Sequence, residues 1–386
     1  MKKIAMLVLN NFKNDSRVLK EAISLKKGGY DVKVVALWED ELKEFDEVNG
    51  VSVYRIKLKT KNWLKNKLVQ LIKYFEFVFK VIKNYKNYDI FHCNDLNTLP
   101  IGVMIKKFFN NKAKIVYDAH EYEINDTPYE SKLNIKLKYF FEKFLIKYTD
   151  KVIAVSDAIA NEYIRLYGIE KPALVLNTPP FQQIEKKDIF REKFNIPKEN
   201  TIFLYQGGLS SGRGIEILLE TFKQLHQSLI TNHQKPVIIF MGYGELEKEI
   251  KKASEEYNNI YYHQAVSPNI LLDYTSSADF GISTIEDSCL SYRYCLPNKM
   301  FEYLMAEMPV IVSNLYEMKR LVERYKIGIV AKENTPQGLK EAIQEAMKLD
   351  KKELQKNIQK VKEIYNWEQQ EKVLLEVYKG LFKCAE

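Results

Sequence analysis

Residues 206–214 of the chain read Gln-Gly-Gly-Leu-Ser-Ser-Gly-Arg-Gly and stand between an apolar run and a helical pattern. Glycines allow backbone amides to approach an anion, the helix that follows presents its positive end, and Arg213 adds a permanent charge. This combination predicts a phosphate site. The alternative is an ordinary turn between strand and helix, with Arg213 in solvent.

A second cluster surrounds Pro297, a residue suited to the first turn of a helix. The helix that it predicts is apolar on most of its circumference from Met300 to Ala306, which indicates burial. Lys299 and Glu302 are three residues apart and share one face of this helix. Charges on a buried helix favour a functional role over the alternative, an exposed ion pair in which the helix dipole stabilises Glu302.

A third cluster, 118–121, reads Asp-Ala-His-Glu and follows the apolar run 115–117. A single histidine after a strand is structural in most proteins. Here the neighbouring carboxylates can orient His120 or set its charge, so His120 is a candidate catalytic residue.

A pair of glycines, Gly242 and Gly244, follows the apolar run 237–241. The pair is compatible with a simple turn. The alternative is a backbone segment that lies beside a nucleotide base.

Short apolar runs alternate with helical patterns along most of the chain, which is the order of a doubly wound α/β fold. These runs predict buried parallel strands at 4–9, 32–37, 90–92, 115–117, 151–155, 202–205, 237–241, 280–283 and 310–312. The pattern stops at 177–200, which predicts a linker. We therefore expect two Rossmann-like domains, 1–180 and 181–367. Such domains bind ligands at the carboxyl ends of their strands, so a shared cleft is expected.

The composition is that of a globular protein, with 386 residues of which 46% are hydrophobic and 28% charged. These proportions exclude a disordered, collagen-like or small disulfide-linked chain. No apolar run is long enough to span a membrane. The four cysteines lack a metal-ligand spacing, and the short apolar start at Ile4–Leu9 lacks a cleavage site. We therefore expect free thiols, a buried first strand and a cytoplasmic location.

The net positive charge lies in the first half, because residues 1–180 hold 31 Lys and Arg against 22 Asp and Glu. Two amphipathic stretches of this half, 61–86 and 132–147, are rich in lysine. The apolar stripe of the first comprises Leu64, Leu68, Leu71, Ile72, Phe75, Val78, Phe79 and Ile82. Such stripes face the core in most proteins, but the charge favours peripheral binding to the anionic inner face of a membrane. Nucleic acid is not expected, because no aromatic-basic recognition motif is visible.

Taken in order, these motifs resemble the retaining nucleotide-sugar glycosyltransferases of family 4, which have the GT-B fold of two Rossmann-like domains facing each other across a cleft. His120 matches the active-site histidine of that family. Residues 207–214 occupy the place of its glycine-rich motif, and 242–244 match its second glycine turn. Residues 299–310 match the helix that carries the second of two glutamates, here Glu302. Trp367 and the helix predicted after it, at about 368–386, are similar to the terminal helix of the family, which implies that this helix packs back on the first domain.

The resemblance implies a role for each matched position. His120, Arg213 and Lys299 are the expected catalytic residues, with no metal ion or other cofactor. The expected donor-binding residues are Gly207, Gly208, Arg213, Gly242, Gly244, Glu286, Asn298, Lys299 and Glu302. The expected acceptor-binding residues are Asn14, Asp15 and Arg17, with Arg17 available for an acidic group. The alternative at this loop is that Asp15 or Ser16 caps the helix that follows.

Two positions depart from the family pattern. Gly208 stands where the family has a phosphate-binding arginine, and Lys299 lies in the right region to replace it. Tyr294 stands where the family has the first glutamate. The candidates for its role are Glu286, Asp287 and the backbone amides of 288–296.

The implied activity is transfer of a sugar from a nucleotide-diphosphate donor to the hydroxyl of a glycan or lipid-linked acceptor, in the synthesis of a bacterial surface polysaccharide or glycolipid. A nucleotide-sugar epimerase of the same architecture is one alternative, although the additional acidic residues that it needs are not found. A non-catalytic nucleotide-sugar-binding protein is another, although such a protein would normally be exported.

Overall fold

The computed structural model describes residues 1–64, 66–227 and 235–382. The chain forms two compact units. The first comprises Met1–Asp126, Glu130–Val175 and Gln370–Glu386, and the second comprises Thr127–Tyr129 and Leu176–Gln369. Lys65 of the predicted basic stretch, Cys384 and the end of the predicted terminal helix lie outside the described residues.

The first unit contains an eight-stranded sheet with the strand order β3-β4-β2-β1-β5-β6-β7-β8. Its strands are β1 (Lys3–Leu7), β2 (Asp31–Leu37), β3 (Phe45–Val48), β4 (Val51–Ile56), β5 (Ile90–Asn94), β6 (Lys114–Ala119), β7 (Lys151–Ala154) and β8 (Ala173–Leu174). Its helices include α1 (Ser16–Lys27), α2 (Lys67–Tyr85), α3 (Leu99–Phe108), α4 (Lys132–Leu145) and α5 (Asp157–Tyr167). All neighbouring strands are parallel except the antiparallel pair β3 and β4.

The second unit contains a six-stranded parallel sheet with the strand order β11-β10-β9-β12-β13-β14. Its strands are β9 (Thr201–Gly208), β10 (Pro236–Tyr243), β11 (Ile260–Gln264), β12 (Phe280–Ser283), β13 (Val310–Val312) and β14 (Gly328–Val330). Its helices are α6 (Ile189–Phe194), α7 (Ile215–Gln227), α8 (Glu247–Glu256), α9 (Leu271–Ser276), α10 (Leu290–Arg293), α11 (Asn298–Met305), α12 (Tyr316–Tyr325), α13 (Pro336–Ala346) and α14 (Lys351–Ile364). Both units thus have the doubly wound α/β fold that the sequence predicts.

Burial and capping explain why these segments form the elements that they do. Residues 4–7 of β1 are fully buried, as expected of a parallel strand covered by helices on both faces, so the apolar start is a core strand as predicted. Several helices begin where a side chain accepts a hydrogen bond from the backbone N–H three residues later. Asp15, Ser131 and Ser156 act in this way for α1, α4 and α5.

The structure differs from the sequence-based expectation at several places. The strands β8, β11 and β14 were not predicted. The hairpin of β3 and β4 was not predicted, because the residues of β3, Phe-Asp-Glu-Val, do not form an apolar run. The predicted linker 177–200 contains α6, and Phe190 of this helix is buried in the core of the second unit together with Ile196. A helix of six residues is too short for its periodicity to be recognised in the sequence.

The last helix, α15 (Trp367–Gly380), packs on the first unit through Tyr378. The Tyr378 side chain is fully buried. Its hydroxyl lies 2.6 Å from Nδ1 of His92 in β5, and its ring meets Tyr30 edge-on at 5.4 Å. Leu375 of the same helix lies against Gly28 at the end of α1. The end of the described chain is therefore part of the core of the first unit.

Helix α2 has 19 residues and carries charged residues along its whole length. Over residues 1–64, 66–227 and 235–382, none of the helices combines the length and the apolar composition that a bilayer crossing requires.

We expect Tyr378→Ala to destabilise the first unit by about 3–5 kcal/mol, because it removes a fully buried aromatic ring. Tyr378→Phe, which removes only the hydroxyl beside His92, is expected to cost about 1 kcal/mol. Urea unfolding monitored by circular dichroism measures both. Val373→Ala on the exposed side of α15 is the control, and equal unfolding midpoints for all three variants would show that the helix is dispensable.

Candidate active site

The predicted donor-binding segments lie at the carboxyl edge of the second unit's sheet. From β9 the chain continues to β10 and β11 on one side, and then returns to β12 on the other side of β9. Open α/β sheets bind ligands at such a reversal of strand order. The glycine-rich turn follows β9, the second glycine turn follows β10, and α11 follows β12.

Two glycines allow the backbone segments at this edge to touch one another. Gly242 of β10 is the parallel partner of Gly207 in β9, and a Cβ atom at position 242 would collide with the Gly207 carbonyl oxygen. Gly214 has a φ angle of +73°, and a Cβ atom there would collide with the carbonyl oxygen of Thr284. Because only glycine fits at both positions, they hold the ends of β9, β10 and β12 together.

Lys299 lies in the first turn of α11 and is buried, with 8% of its surface exposed. Its Nζ atom is 3.6 Å from the centroid of the Tyr205 ring and 3.6 Å from the point that a Cβ atom of residue 207 would occupy. Burial, together with the charge of Arg213, lowers the pKa of Lys299 to about 7, while the Glu302 carboxylate opposes the shift. An anion that binds beside Lys299 would therefore stabilise its charged form.

The Glu302 carboxylate is held by a residue of β9. The Gln206 amide nitrogen donates to Glu302 Oε2 at 2.6 Å, and the Gln206 amide oxygen accepts from the Thr275 hydroxyl at 2.8 Å. The backbone N–H of Gln206 donates to the Tyr303 hydroxyl at 3.0 Å, and that hydroxyl donates to the Ile282 carbonyl oxygen at 3.2 Å. Gln206 had no predicted role. Its bonds connect the helix that carries Glu302 to the strand that ends in the glycine turn.

Arg213 stands at the end of the glycine-rich turn and is half-buried. Its guanidinium carbon lies 5.1 Å from the centroid of the Tyr292 ring, a cation–π contact. The Thr284 hydroxyl donates to the Arg213 carbonyl oxygen at 3.3 Å, which fixes the turn against the segment after β12. These contacts place the Arg213 charge at the start of α7.

The two acidic candidates for the role left open at Tyr294 have different surroundings. The backbone N–H of Glu286 donates to the Gly212 carbonyl oxygen at 3.0 Å, so Glu286 adjoins the glycine-rich turn. The exposed carboxylate of Asp287 pairs with Arg293 at 2.9 Å. Of the two, Glu286 is therefore the better placed, and Tyr294 follows α10 in the same loop.

The remaining predicted donor residues lie on the same three segments. Gly208 is exposed at the end of β9, Gly244 directly follows β10, and Asn298 is the exposed first residue of α11. All nine predicted donor residues are thus on or after the ends of β9, β10 and β12. The two cations and the start of the 13-residue helix α7 make this edge suited to bind an anion.

His120 directly follows β6 in the first unit. Its Nε2 atom is 3.0 Å from Asp118 Oδ2, and its Nδ1 atom is 3.3 Å from Asp95 Oδ1. Burial alone would lower the pKa of His120, but these two carboxylates outweigh it and raise the pKa to about 9. His120 is therefore a cation at neutral pH. Asp118 was a predicted partner, whereas Asp95 comes from the end of β5 and was not.

Arg17 requires a correction, because its guanidinium is buried rather than available to an acceptor. Its Nη2 atom lies 2.8 Å from Asp118 Oδ1 and 3.1 Å from Glu21 Oε1, and its Nη1 atom donates to the Val175 carbonyl oxygen at 2.9 Å. Two buried carboxylates need this positive charge, so Arg17 is engaged inside the first unit.

The other two predicted acceptor residues lie at the start of α1. Asp15 Oδ1 accepts from the backbone N–H of Val18 at 3.2 Å, and its Oδ2 accepts from the Asn10 side chain at 2.8 Å. Asp15 is thus the helix cap that the sequence offered as an alternative. Asn14 is exposed in the loop before it, so it is the member of this set whose side chain faces solvent.

The buried network around Arg17 was not predicted. Glu21, His92 and Asp118 place three possible metal ligands within 4.8 Å of one another. Arg17 supplies the positive charge that these carboxylates require, and the Tyr378 hydroxyl contacts His92 Nδ1. Burial and the Asp118 charge raise the pKa of Glu21 to about 7. The available signal was the spacing of Arg17 and Glu21, which puts both on the buried face of α1.

The two units match two related families of enzymes. The family model described as "Glycosyl transferases group 1" matches residues 186–363, and the model described as "Glycosyltransferase Family 4" matches residues 16–178. The chain is a group 1 glycosyltransferase. The family inferred from the motifs is thereby confirmed, and the retaining mechanism that the resemblance implies stays a prediction.

Curated relatives of this glycosyltransferase are distant. A glycosyltransferase of Methanocaldococcus jannaschii is 24% identical over 298 residues, which are 74% of this chain and 69% of the relative. The O-antigen biosynthesis glycosyltransferase WclY of Escherichia coli is 22% identical, over 60% of this chain and 62% of the relative. TuaC of Bacillus subtilis, whose name assigns it to teichuronic acid biosynthesis, is 25% identical, over 61% of this chain and 56% of the relative. The chain thus spans less than two thirds of the length of the last two.

Two solved structures share the fold over nearly their whole length. Sucrose-phosphate synthase from Thermosynechococcus elongatus has a TM-score of 0.78 at 18% identity, with 99% of each chain covered. Anabaena HepE in complex with UDP-glucose has a TM-score of 0.73 at 16% identity, again with 99% of each chain covered. At these identities the likeness establishes the fold, which is that of the GT-B glycosyltransferases.

We expect Asp95→Asn to lower the pKa of His120 by roughly one unit, because it removes one of the two carboxylates that keep the imidazole charged. An NMR titration of the imidazole Cε1–H resonance measures this pKa. The resonance is assigned by its loss in His120→Gln. His263, in the second unit, is the internal control and should titrate as in the wild-type protein. An unchanged pKa of His120 would contradict the role given to Asp95.

Proposed function

We propose that the protein transfers a sugar from a nucleotide-diphosphate sugar to an acceptor hydroxyl with retention of the anomeric configuration. The observation that carries this proposal is the pair of cations, half-buried Arg213 and buried Lys299, beside the glycine turn that opens α7. A diphosphate has the charge and the oxygen acceptors that such a site favours. The UDP-glucose of the similar HepE structure supports the same ligand class.

The reaction needs stabilisation of its leaving group. As the bond between the anomeric carbon and the diphosphate oxygen breaks, positive charge develops on the sugar and negative charge on the diphosphate. Arg213, Lys299 and the backbone amides around 207–208 are the groups that we assign to the departing anion. Their effect is large because a buried cation is screened less than one in water.

Glu302 and Glu286 are assigned to the remainder of the donor. An ionised carboxylate only accepts hydrogen bonds and therefore suits a pair of hydroxyls, so we assign Glu302 to the ribose diol. Gln206 positions Glu302 through the 2.6 Å bond. Glu286, bonded to the glycine-rich turn, is assigned to hydroxyls of the transferred sugar, with Asn298 at the start of α11 as a second contact.

The first unit is assigned to the acceptor and to His120. As a cation, His120 can bind a sugar oxygen or the donor phosphate, and the leaving phosphate can take the proton of the acceptor hydroxyl. We expect no metal ion or cofactor in this reaction. The names of WclY and TuaC support a role in the synthesis of a bacterial surface polysaccharide. For that role we propose a glycan or lipid-linked acceptor at the inner face of the membrane.

A panel of nucleotide sugars tests the proposal directly. We expect one donor to release its nucleotide slowly in water and faster with an added acceptor glycan, at the same rate in EDTA. NMR of the freshly formed product should show the anomeric configuration of the donor. Inversion of that configuration, or loss of activity in EDTA, would remove the corresponding part of the proposal. Interconversion of donor sugars without transfer would indicate an epimerase instead.

We expect Arg213→Ala to lower kcat/KM for the donor by about 10²–10³-fold, because it removes a cation that stabilises the leaving diphosphate. Steady-state assays of nucleotide release measure the effect. The matched control is Arg324→Ala, because Arg324 also stacks on a tyrosine ring, 5.3 Å from the centroid of Tyr325, but lies on α12. Wild-type turnover of Arg213→Ala would refute the assignment of this residue.

We expect binding of the donor's nucleoside diphosphate to take up a proton above pH 7. The pKa of Lys299 is about 7 in the unliganded protein, and a bound anion raises it. Affinity should therefore be highest below pH 7 and fall as the pH rises through 7 to 9. Titration calorimetry in buffers of different ionisation enthalpy measures the uptake. Lys299→Met should abolish the uptake, and Lys251→Met, at an exposed position of α8, should leave it unchanged. Equal uptake by both variants would exclude Lys299 as the source.

A further inference from the structure

Helix α2 presents apolar residues on two faces, of which one is buried in the first unit. The inner face consists of the buried residues Phe77, Val78, Val81 and Tyr85. The outer face consists of Leu68, Leu71, Ile72, Phe75 and Phe79, whose side chains are 39 to 69% exposed. The outer positions recur at intervals of three and four residues, so they form one continuous stripe. Of the eight residues in the predicted stripe, only Val78 is buried, so the core-facing alternative holds for Val78 and not for the stripe as a whole.

Helix α4 repeats this arrangement. Its inner side carries Glu142 and Leu145, which are buried. Its outer side carries Leu133, Leu137, Phe140, Phe141 and Phe144, which are 48 to 67% exposed. Soluble monomers rarely leave such continuous apolar stripes in water. Two exposed apolar stripes in one unit therefore indicate a binding surface.

Both stripes lie on the same side of the first unit's sheet. The connections from β4 to β5, from β5 to β6 and from β6 to β7 all run in one direction along the strand order. Right-handed crossovers place the helices α2, α3 and α4 of these connections on one face. Contacts between the helix ends agree, because Lys86 lies 5.9 Å from the ring centroid of Phe109, and Lys107 lies 5.7 Å from that of Phe144.

The exposed residues of the two stripes, together with exposed Phe108 and Phe109 at the end of α3, are called the apolar face below. Lysines surround it. Those on exposed positions are Lys67, Lys83, Lys86, Lys107, Lys132, Lys136 and Lys147. The two acidic residues of α2 and α4 are engaged elsewhere. Glu76 pairs with Lys80 at 2.9 Å, which is not one of these seven lysines, and Glu142 is buried among tyrosine hydroxyls.

We infer that the apolar face inserts into the headgroup and acyl boundary of an anionic phospholipid bilayer. Leucine and phenylalanine side chains on one side of a helix, with lysines around them, are the pattern of interfacial helices. The lysines complement a negative surface, which argues for a bilayer over a second copy of this equally basic unit. The inference rests on the apolar face and its lysines alone. It goes beyond the proposed sugar transfer, because membrane binding would bring the enzyme to a lipid-linked acceptor.

Co-sedimentation of the full-length chain with vesicles tests the inference. The vesicles contain phosphatidylcholine and phosphatidylglycerol in equal parts, with pure phosphatidylcholine as the neutral comparison. We expect binding to the anionic vesicles that weakens but persists in about 0.5 M NaCl, because buried apolar contacts are not screened by salt. Complete release by salt would overturn insertion and leave only surface attraction.

Two triple variants remove the stripes one at a time. Leu68→Ser with Phe75→Ser and Phe79→Ser alters α2, and Leu137→Ser with Phe140→Ser and Phe144→Ser alters α4. Each is expected to weaken the partition to vesicles by about tenfold or more. The control is Ile270→Ser with Ile364→Ser, two exposed apolar residues of the second unit, which should bind as the wild type does. Equal binding by all variants would overturn the inference.

Trp63, which is 53% exposed just before α2, is a native probe of insertion. We expect its fluorescence to shift to shorter wavelength with anionic vesicles, and Trp63→Phe to lose this shift.

Sedimentation velocity without lipid tests the alternative partner, which is a second copy of this chain. A wild-type dimer that both triple variants convert to a monomer would assign the apolar face to self-association instead. Donor hydrolysis without acceptor should be unchanged in the triple variants, which separates failure of this inference from failure of the proposed sugar transfer.

Discussion

Backbone contact without intervening side chains is the constraint on which the donor-binding edge of the second unit depends. Gly242 against Gly207, and Gly214 against Thr284, let three strand ends approach more closely than any residue with a Cβ atom allows. Arg213 and Lys299 occupy positions that this approach creates. The glycines set the distance between the two chain segments that carry Arg213 and Lys299. This distance determines whether both charges can act on one ligand, so the glycines constrain the site more than the residues between them do.

The buried charges of Arg17 and Lys299 are compensated to different degrees. In the first unit, the Arg17 charge is matched by Asp118 and Glu21, and the network extends through His92 to Tyr378 in the terminal helix. In the second, Lys299 is buried beside a ring and near another cation, and its pKa falls to about 7. A compensated charge contributes to a defined structure, whereas a poorly compensated one favours an anionic ligand. His120 is a further cation of the first unit, and the carboxylates of Asp95 and Asp118 stabilise its charge.

Helices α2 and α4 show that an amphipathic pattern does not by itself tell which apolar side is the inner one. On α2 the covered residues and the exposed ones are both apolar, and they are offset around the helix rather than opposed. Only one of these sides is buried in the first unit. The other side remains exposed, in a unit that also carries the excess of positive charge. The buried residues of the helix therefore stabilise the fold, and its exposed residues are available for surface binding.

The alternation of strands and helices, the glycine turns, and the cations near them were predictable from the sequence, because each depends on residues that are close along the chain. The positions of Gly207, Gly242 and Lys299 after successive strands already implied one edge of a sheet. The tertiary structure alone decided that Arg17 is buried, since its partners Asp118 and Val175 lie more than a hundred residues away. It also decided the protonation of buried groups and the exposed face of α2, because desolvation and burial depend on which distant segments pack together.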